Sequence, residues 1–297
     1  MDIREINGAA GIGGVRTAAV VGSGLIGTSV ALALRRRGVV TYLHDADPGA
    51  SAAAANRGAG ILGLPPSAVD LTVVAVPPCS TAAVVAECQA KGLSRVYTDV
   101  AGVKSGPVRE FERLGGDLGA YVAGHPMAGS ERSGPRGASA DLFDGRVWVL
   151  TPDARTRPAA LRTVAGFVTG LGARPVVMTP AEHDRIVSRT SHVPHLISAI
   201  LAARLDGAGE EVLRLCGAGI RDTTRVAAGN AELWTDILRA NADEVATELS
   251  EIAADLLTAV RALHGDPEDL TALLERGNAG RAALTGAPVR LAEAVAR

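Results

Sequence analysis

The chain has 297 residues, 47% of them hydrophobic and 3% aromatic, and a formal net charge of −2. That length leaves room for two domains and a sizeable core, while the near-neutral balance excludes a global field for nucleic acid or an anionic membrane, so an anionic substrate must be met by a few local Arg or Lys residues. Cys79, Cys88 and Cys216 show neither CxxC spacing nor a second cysteine cluster, so neither a zinc module nor a disulfide framework is indicated, and a reducing, cytoplasmic setting fits best.

Residues 1–15 read as a loose N-terminal extension: acids and glycines stand where a secretion signal needs an apolar core, and no later apolar run approaches the ~20 residues of a membrane span. "TAAVV", Thr17 to Val21, is short, apolar and closed by glycines, the pattern of a buried parallel strand. The turn Gly22-Ser23-Gly24-Leu25-Ile26-Gly27 leads into a predicted helix over Thr28 to Arg37 that stops before Gly38. "VVTYLHD" is a second strand finishing on Asp45, and "AVDLTVVAVPP", "RVYTDV", "YVAGHP" and "RVWVLTP" supply further strands. Strands alternating with helix-length segments predict an α/β, Rossmann-type doubly wound parallel sheet over residues 16–179. After "ARPVVMTP" only helical stretches remain, so residues 180–297 are expected to form an all-α domain whose apolar helix faces complete a cleft and make a dimer.

Gly22, Gly24 and Gly27 stand at GxGxxG spacing between a strand and a helix, where the first allows a tight turn, the second lets backbone approach a pyrophosphate and the third lets helix and strand pack. Helix N–H groups then face the phosphates, with Ser23, Leu25 and Ile26 completing the loop. Asp45 has the spacing of the acid that binds adenosine ribose hydroxyls; with Asp47 following and no Arg at once, NAD is favoured over NADP, against the alternative of a solvated turn. Val76 and Asp99, at the ends of later strands, join the cofactor-binding candidates.

His125 of "AGHPMAGSERSG" falls where a strand ends, at the sheet edge that binds ligands; a neutral imidazole there accepts a hydroxyl proton, and a purely structural histidine is the alternative. "SRTSHVPHLISA" sets His192 and His195 three residues apart in a helical stretch that Pro194 is expected to kink, and His183-Asp184 lies upstream. No HExxH or carboxylate-rich ligand set occurs, so no metal is expected. In "GIRDTTRVAAGNAELWTDIL", Arg225 suits bidentate capture of a carboxylate, with Asp222 as an i,i+3 orienting partner; a surface ion pair is the alternative.

Taken in order, "VVGSGLIGTSVALALRRRG", "YTDVAGVK", "GHPMAGSERSG", "HDRIVSRTSHVPH" and "IRDTTRVAAGNAELWTDIL" resemble the prephenate/arogenate dehydrogenase family over about residues 17 to 250. The resemblance implies a nicotinamide-binding domain followed by a helical dimerisation domain, with the site between them and a cyclohexadienol as the small-molecule partner. It implies that hydride passes to nicotinamide while His125 withdraws the hydroxyl proton and CO2 departs. It carries Arg225 over as the carboxylate anchor, Ser191, His192 and His195 as the substrate wall, Ser130 and Glu131 as residues near the substrate side chain, and His183 and Asp184 as support behind them. Prephenate is the leading substrate, with arogenate and 4-amino-4-deoxyprephenate as alternatives and a catalytically silent nucleotide-binding protein as a remote one. A β-hydroxyacid-type dehydrogenase would need a lysine in the second half, and none follows Lys104. No regulatory ACT domain is expected beyond about His264.

One position departs from the family motif, which usually reads Asp-x-Gly/Ala-Ser-Val-Lys. Here Asp99-Val100-Ala101-Gly102-Val103-Lys104 offers no hydroxyl at Gly102, and Ser105 is displaced by three residues.

Overall fold

The computed structural model describes residues 12–129 and 134–286. The first half is one eight-stranded sheet with helices on its faces. Its opening unit is β1 (Thr17–Val21), α1 (Leu25–Arg36), β2 (Val40–His44), α2 (Pro48–Asn56) and the two-residue β3 (Ile61–Leu62). There follow β4 (Val69–Val74), α3 (Pro78–Ala90), β5 (Ser94–Asp99), α4 (Ser105–Arg113), β6 (Tyr121–Pro126), β7 (Val147–Thr151), α5 (Pro158–Gly170) and β8 (Arg174–Val177). The strand order is β3-β2-β1-β4-β5-β6-β7-β8, so the order reverses between β1 and β4. A crevice opens at the carboxyl ends of the strands flanking such a reversal, and it is there that ligands bind in doubly wound sheets.

The sheet is parallel from β3 to β6, as the apolar runs predict, but β7 runs antiparallel to β6 and then pairs in parallel with β8. The all-parallel expectation fails at this one pairing. No α-helix is described between Pro126 and Val147, only a 3-10 turn at Pro135–Gly137; without a crossover helix the chain turns back beside β6.

Two apolar layers hold the sheet. On one face Val20, Val30, Leu34, Leu71 and Val73 pack with Trp148, whose ring lies 5.1 Å from Phe143 and 5.6 Å from Phe167. On the other, Val74, Val85, Tyr97, Phe111 and Tyr121 form a second cluster.

The second half is helical among the described residues: α6 (Pro180–Val187), α7 (Val193–Ala203), α8 (Glu210–Arg214), α9 (Ala218–Thr224), α10 (Ala231–Ala240), α11 (Ala242–Ala262) and α12 (Pro267–Gly286). No helix is long and apolar enough to cross a membrane. These helices leave Leu256, Leu257, Val260 and Leu263 on α11 and its C-terminal cap exposed, and Leu215 is 87% exposed.

Candidate active site

The glycine loop is built by close approach. Gly22 has φ +103°, and a Cβ there would lie 2.2 Å from the Ala75 carbonyl oxygen; a Cβ on Gly27 would lie 1.9 Å from the Gly22 oxygen. Gly24 meets nothing within 4 Å, so its face of the loop is open. The first turn of α1 has no side-chain cap and no acid, which leaves its N–H groups for an anion. Asp45 follows β2, accepts the Ser23 amide at 2.5 Å through Oδ2 and the Asp47 amide at 2.9 Å through Oδ1. Ser23 is buried and its hydroxyl has no partner, Leu25 and Ile26 are half-buried, and Val76 follows β4 beside the second apolar cluster. Open glycine, uncapped helix and acid together fit a dinucleotide.

Asp99 does not belong to that list. It is fully buried, and both oxygens are taken inside the protein: Oδ1 accepts from the Ala101 amide at 2.7 Å and from the Lys104 ammonium, and Oδ2 from the Tyr121 hydroxyl at 2.5 Å and the Gly124 amide at 3.3 Å. A carboxylate sealed beneath the end of β5 is out of reach of a cofactor; it organises the loop that carries Gly102.

His125, near the end of β6, is half-buried, with Nδ1 2.8 Å from Nε2 of His183. His183 Nδ1 lies 2.8 Å from Asp184 Oδ1. A carboxylate only accepts, so His183 donates from Nδ1; in the neutral form its Nε2 accepts, which assigns the shared proton to His125 Nδ1 and leaves the lone pair of His125 on Nε2. A Cβ on Gly102 would sit 3.8 Å from that nitrogen and would meet only the His125 ring within 4 Å. Burial first, and then the neighbouring His183, Lys104 and His192, hold His125 well below the usual histidine range. The result is a neutral base whose free nitrogen faces an open position.

Local sequence explains how His183 and Asp184 arrive there. Thr179 and Glu182 close a capping box at the start of α6, which fixes the helix's entry from β8. Asp184 then accepts the amides of Lys104 at 2.8 Å and Ser105 at 2.7 Å. Burial pushes its carboxyl up, but the hydrogen bonds from His183, Ser105 and Lys104 outweigh that and hold it below its ordinary value. Ser105 thus serves Asp184 and does not replace a hydroxyl at position 102.

Pro194 produces a π-helical turn, Ser188–His192, rather than a break, because a wider turn accommodates the missing N–H. His192 is buried with Nδ1 3.1 Å from the Asn241 amide nitrogen, which also donates to the Asp184 carbonyl at 2.8 Å. Burial pushes His192 down to about 4 against the pull of Asp184. His195 instead stacks on Trp234, centroids 3.5 Å apart, with Gly229 against both rings. The two histidines therefore serve different neighbours. Ser191 is half-buried beside them in the π turn.

Arg225 is exposed and opens the 3-10 turn Arg225–Ala228. The expected pairing with Asp222 does not form, and among the described residues its guanidinium has no partner; the nearby Arg221 bonds the Cys216 carbonyl at 3.2 Å. Ser130 and Glu131 lie outside the described residues. Lys104, Tyr121 and Asn241 were not apparent as site residues in the sequence. The one available signal was Lys104 itself, one of two lysines in the chain, set in an apolar stretch.

A family model described as "Prephenate dehydrogenase, nucleotide-binding domain" matches residues 30–178, and one described as "Prephenate dehydrogenase, dimerization domain" matches residues 179–276. The chain is 44% identical over 252 residues to the probable prephenate dehydrogenase NovF of Streptomyces niveus, covering 84% of this chain and 70% of that one. It is 32% identical over 265 residues to the cyclohexadienyl dehydrogenase of Zymomonas mobilis, covering 84% and 89%. Among solved structures, prephenate dehydrogenase from Aquifex aeolicus in complex with hydroxyphenyl propionate and NAD+ superposes with a TM-score of 0.81 at 25% identity, covering 91% of this chain and 98% of that one.

Proposed function

The chain belongs to the prephenate dehydrogenase family, and from that premise we propose that it is a cytoplasmic NAD-dependent oxidoreductase that converts prephenate to 4-hydroxyphenylpyruvate with His125 as general base. The observation that carries the reading is Nε2 of His125, which has no hydrogen-bond partner among the described residues, beside the open position at Gly102 and in a ring that burial holds neutral. Nicotinamide, when bound, supplies the hydride acceptor. His125 takes the proton of the ring hydroxyl as the carbon beside it loses hydride. The electron pair released with CO2 then restores an aromatic ring, and the oxygen regains a proton as a phenol. His183 and Asp184 hold the imidazole in the tautomer that accepts at Nε2.

Arg225 is assigned to a substrate carboxylate, supported by its partnerless guanidinium on the turn that precedes Gly229, the contact point of His195 and Trp234. Arg225→Ala should raise KM about 10- to 150-fold, the equivalent of a lost charged hydrogen bond, with a smaller change in kcat. An unchanged KM rejects this anchor. Ser130, Glu131, Ser191, His192 and His195 complete the proposed substrate side.

NAD is proposed over NADP because the Asp45 carboxylate stands beside the loop, where a 2′-phosphate meets like charge. Asp45→Ala should weaken NAD about tenfold or more and narrow the NAD to NADP ratio of kcat/KM; a wild-type ratio in that variant removes Asp45 from cofactor choice. Residues 16–179 are the proposed dinucleotide domain and 180–297 the substrate and dimerisation domain, with the exposed leucines around α11 at the contact between two copies.

Gly102 favours a second substrate reading. Without a protein hydroxyl at His125 Nε2, the site has room for an amino group on the reacting carbon, as in 4-amino-4-deoxyprephenate. A panel of prephenate, arogenate and the amino analogue, each with NAD and with NADP, tests the assignment by reduced-cofactor formation. Fastest turnover of prephenate supports the leading reading, and fastest turnover of the amino analogue replaces it with the second.

A further inference from the structure

Lys104 is fully buried, and its ammonium meets two acceptors: Asp99 Oδ1 and, at 2.5 Å, the carbonyl of Gly124, the residue before His125. Its own amide donates to Asp184 Oδ1, the same oxygen that His183 bonds. One residue therefore bonds Asp184 at one end of the chain that runs from His125 through His183 to Asp184, and the backbone next to His125 at the other. Folding alone does not require the ion pair of Lys104 with Asp99, because two apolar side chains of similar volume fill the same slots without the cost of desolvating two charges.

We propose that Lys104 is a positioning residue for His125, its ammonium pinning the end of β6 through Gly124 while its amide fixes Asp184, so that the imidazole is held at the cleft in one tautomer. The inference rests on His125 being the base. Two consequences follow from the geometry. Without the ammonium, the Gly124 carbonyl loses its donor and the His125 ring gains freedom. Without the positive charge, the imidazole also becomes easier to protonate, since Lys104 acts on His125 in the same sense as His183 and His192. The other charged or titratable groups around it are Asp184 behind His183, and Asp99 and Tyr121 beneath β6.

The test compares Lys104→Met with the double variant Lys104→Met/Asp99→Asn, which removes both members of the ion pair and leaves no orphaned charge. Melting temperature, NAD affinity and the pH profile of kcat are measured for both full-length proteins. The proposal expects kcat to fall at least about tenfold in each folded variant, NAD affinity to stay near wild type, and the acid limb of Lys104→Met to move up by about one pH unit. A folded double variant with wild-type kcat, or an unmoved acid limb in folded Lys104→Met, overturns it. Failure of both variants to fold reduces Lys104 to a structural residue and overturns it as well. Substitution of His125 keeps the two readings apart: if His125→Asn abolishes turnover while the double variant is unimpaired, only the role of Lys104 falls.

Discussion

His125→Asn should lower kcat by ~10²–10⁴, the usual scale for losing a general base, with NAD affinity little changed. The prediction follows from the division of labour in the site. The glycine loop, α1 and Asp45, the proposed dinucleotide cradle, do not include His125, whose Nε2 has no hydrogen-bond partner among the described residues and lies beside Gly102. Asparagine can occupy the slot and hydrogen-bond His183, but it cannot take a proton. The wild-type pH profile supplies a second check. A histidine whose folded value is depressed stays neutral as pH falls past its ordinary value of about 6.5, so kcat/KM should hold through neutrality and drop only at lower pH. A limb near or above pH 7 contradicts this account of the base.

Asp184→Asn should be nearly as damaging, with a loss of ~10²–10⁴ in kcat and a largely intact fold, although Asp184 lies behind His183 and makes no hydrogen bond to His125. Asp184 accepts from His183 Nδ1, Lys104 N and Ser105 N. An amide keeps one acceptor oxygen and replaces the other with an NH2 that can only donate, so either the Oδ1 partners His183 and Lys104 or the Oδ2 partner Ser105 must face that NH2. If its NH2 faces His183, the imidazole must accept at Nδ1 and donate from Nε2. His125 then accepts at Nδ1, and its proton moves to Nε2, the atom that must be bare. The variant should retain NAD binding, and its loss should not be relieved by saturating substrate. Turnover within about threefold of wild type would mean that the tautomer is set elsewhere.

These two variants also mark the boundary of what the sequence discloses. The strand-glycine-helix unit at Val20 to Arg36 was legible because each feature is local: an apolar run, glycines at fixed spacing, an amphipathic helix and an acid after the next strand. His125 was legible as a candidate because it closes a strand. The relay behind it was not, since His183 and Asp184 lie 58 and 59 positions further along the chain and meet His125 only through the packing of α6 on the sheet edge. Asp99 was misread for a related reason. A polar residue at a strand end looks like a ligand contact, and only Lys104, Tyr121 and the amides that enclose it show that it faces inward. Strand direction at β7 was equally hidden, because an apolar strand reads alike in both directions.

The proposed enzyme oxidises and decarboxylates a cyclohexadienol in one coupled reaction. Its most direct test is the stoichiometry of purified enzyme acting on prephenate with NAD, following NADH, CO2 and the aromatic product together. The account predicts one NADH and one CO2 for each 4-hydroxyphenylpyruvate formed, and no product without NAD. NAD binding with no turnover of prephenate, arogenate or the amino analogue, or CO2 release without NADH, would contradict it.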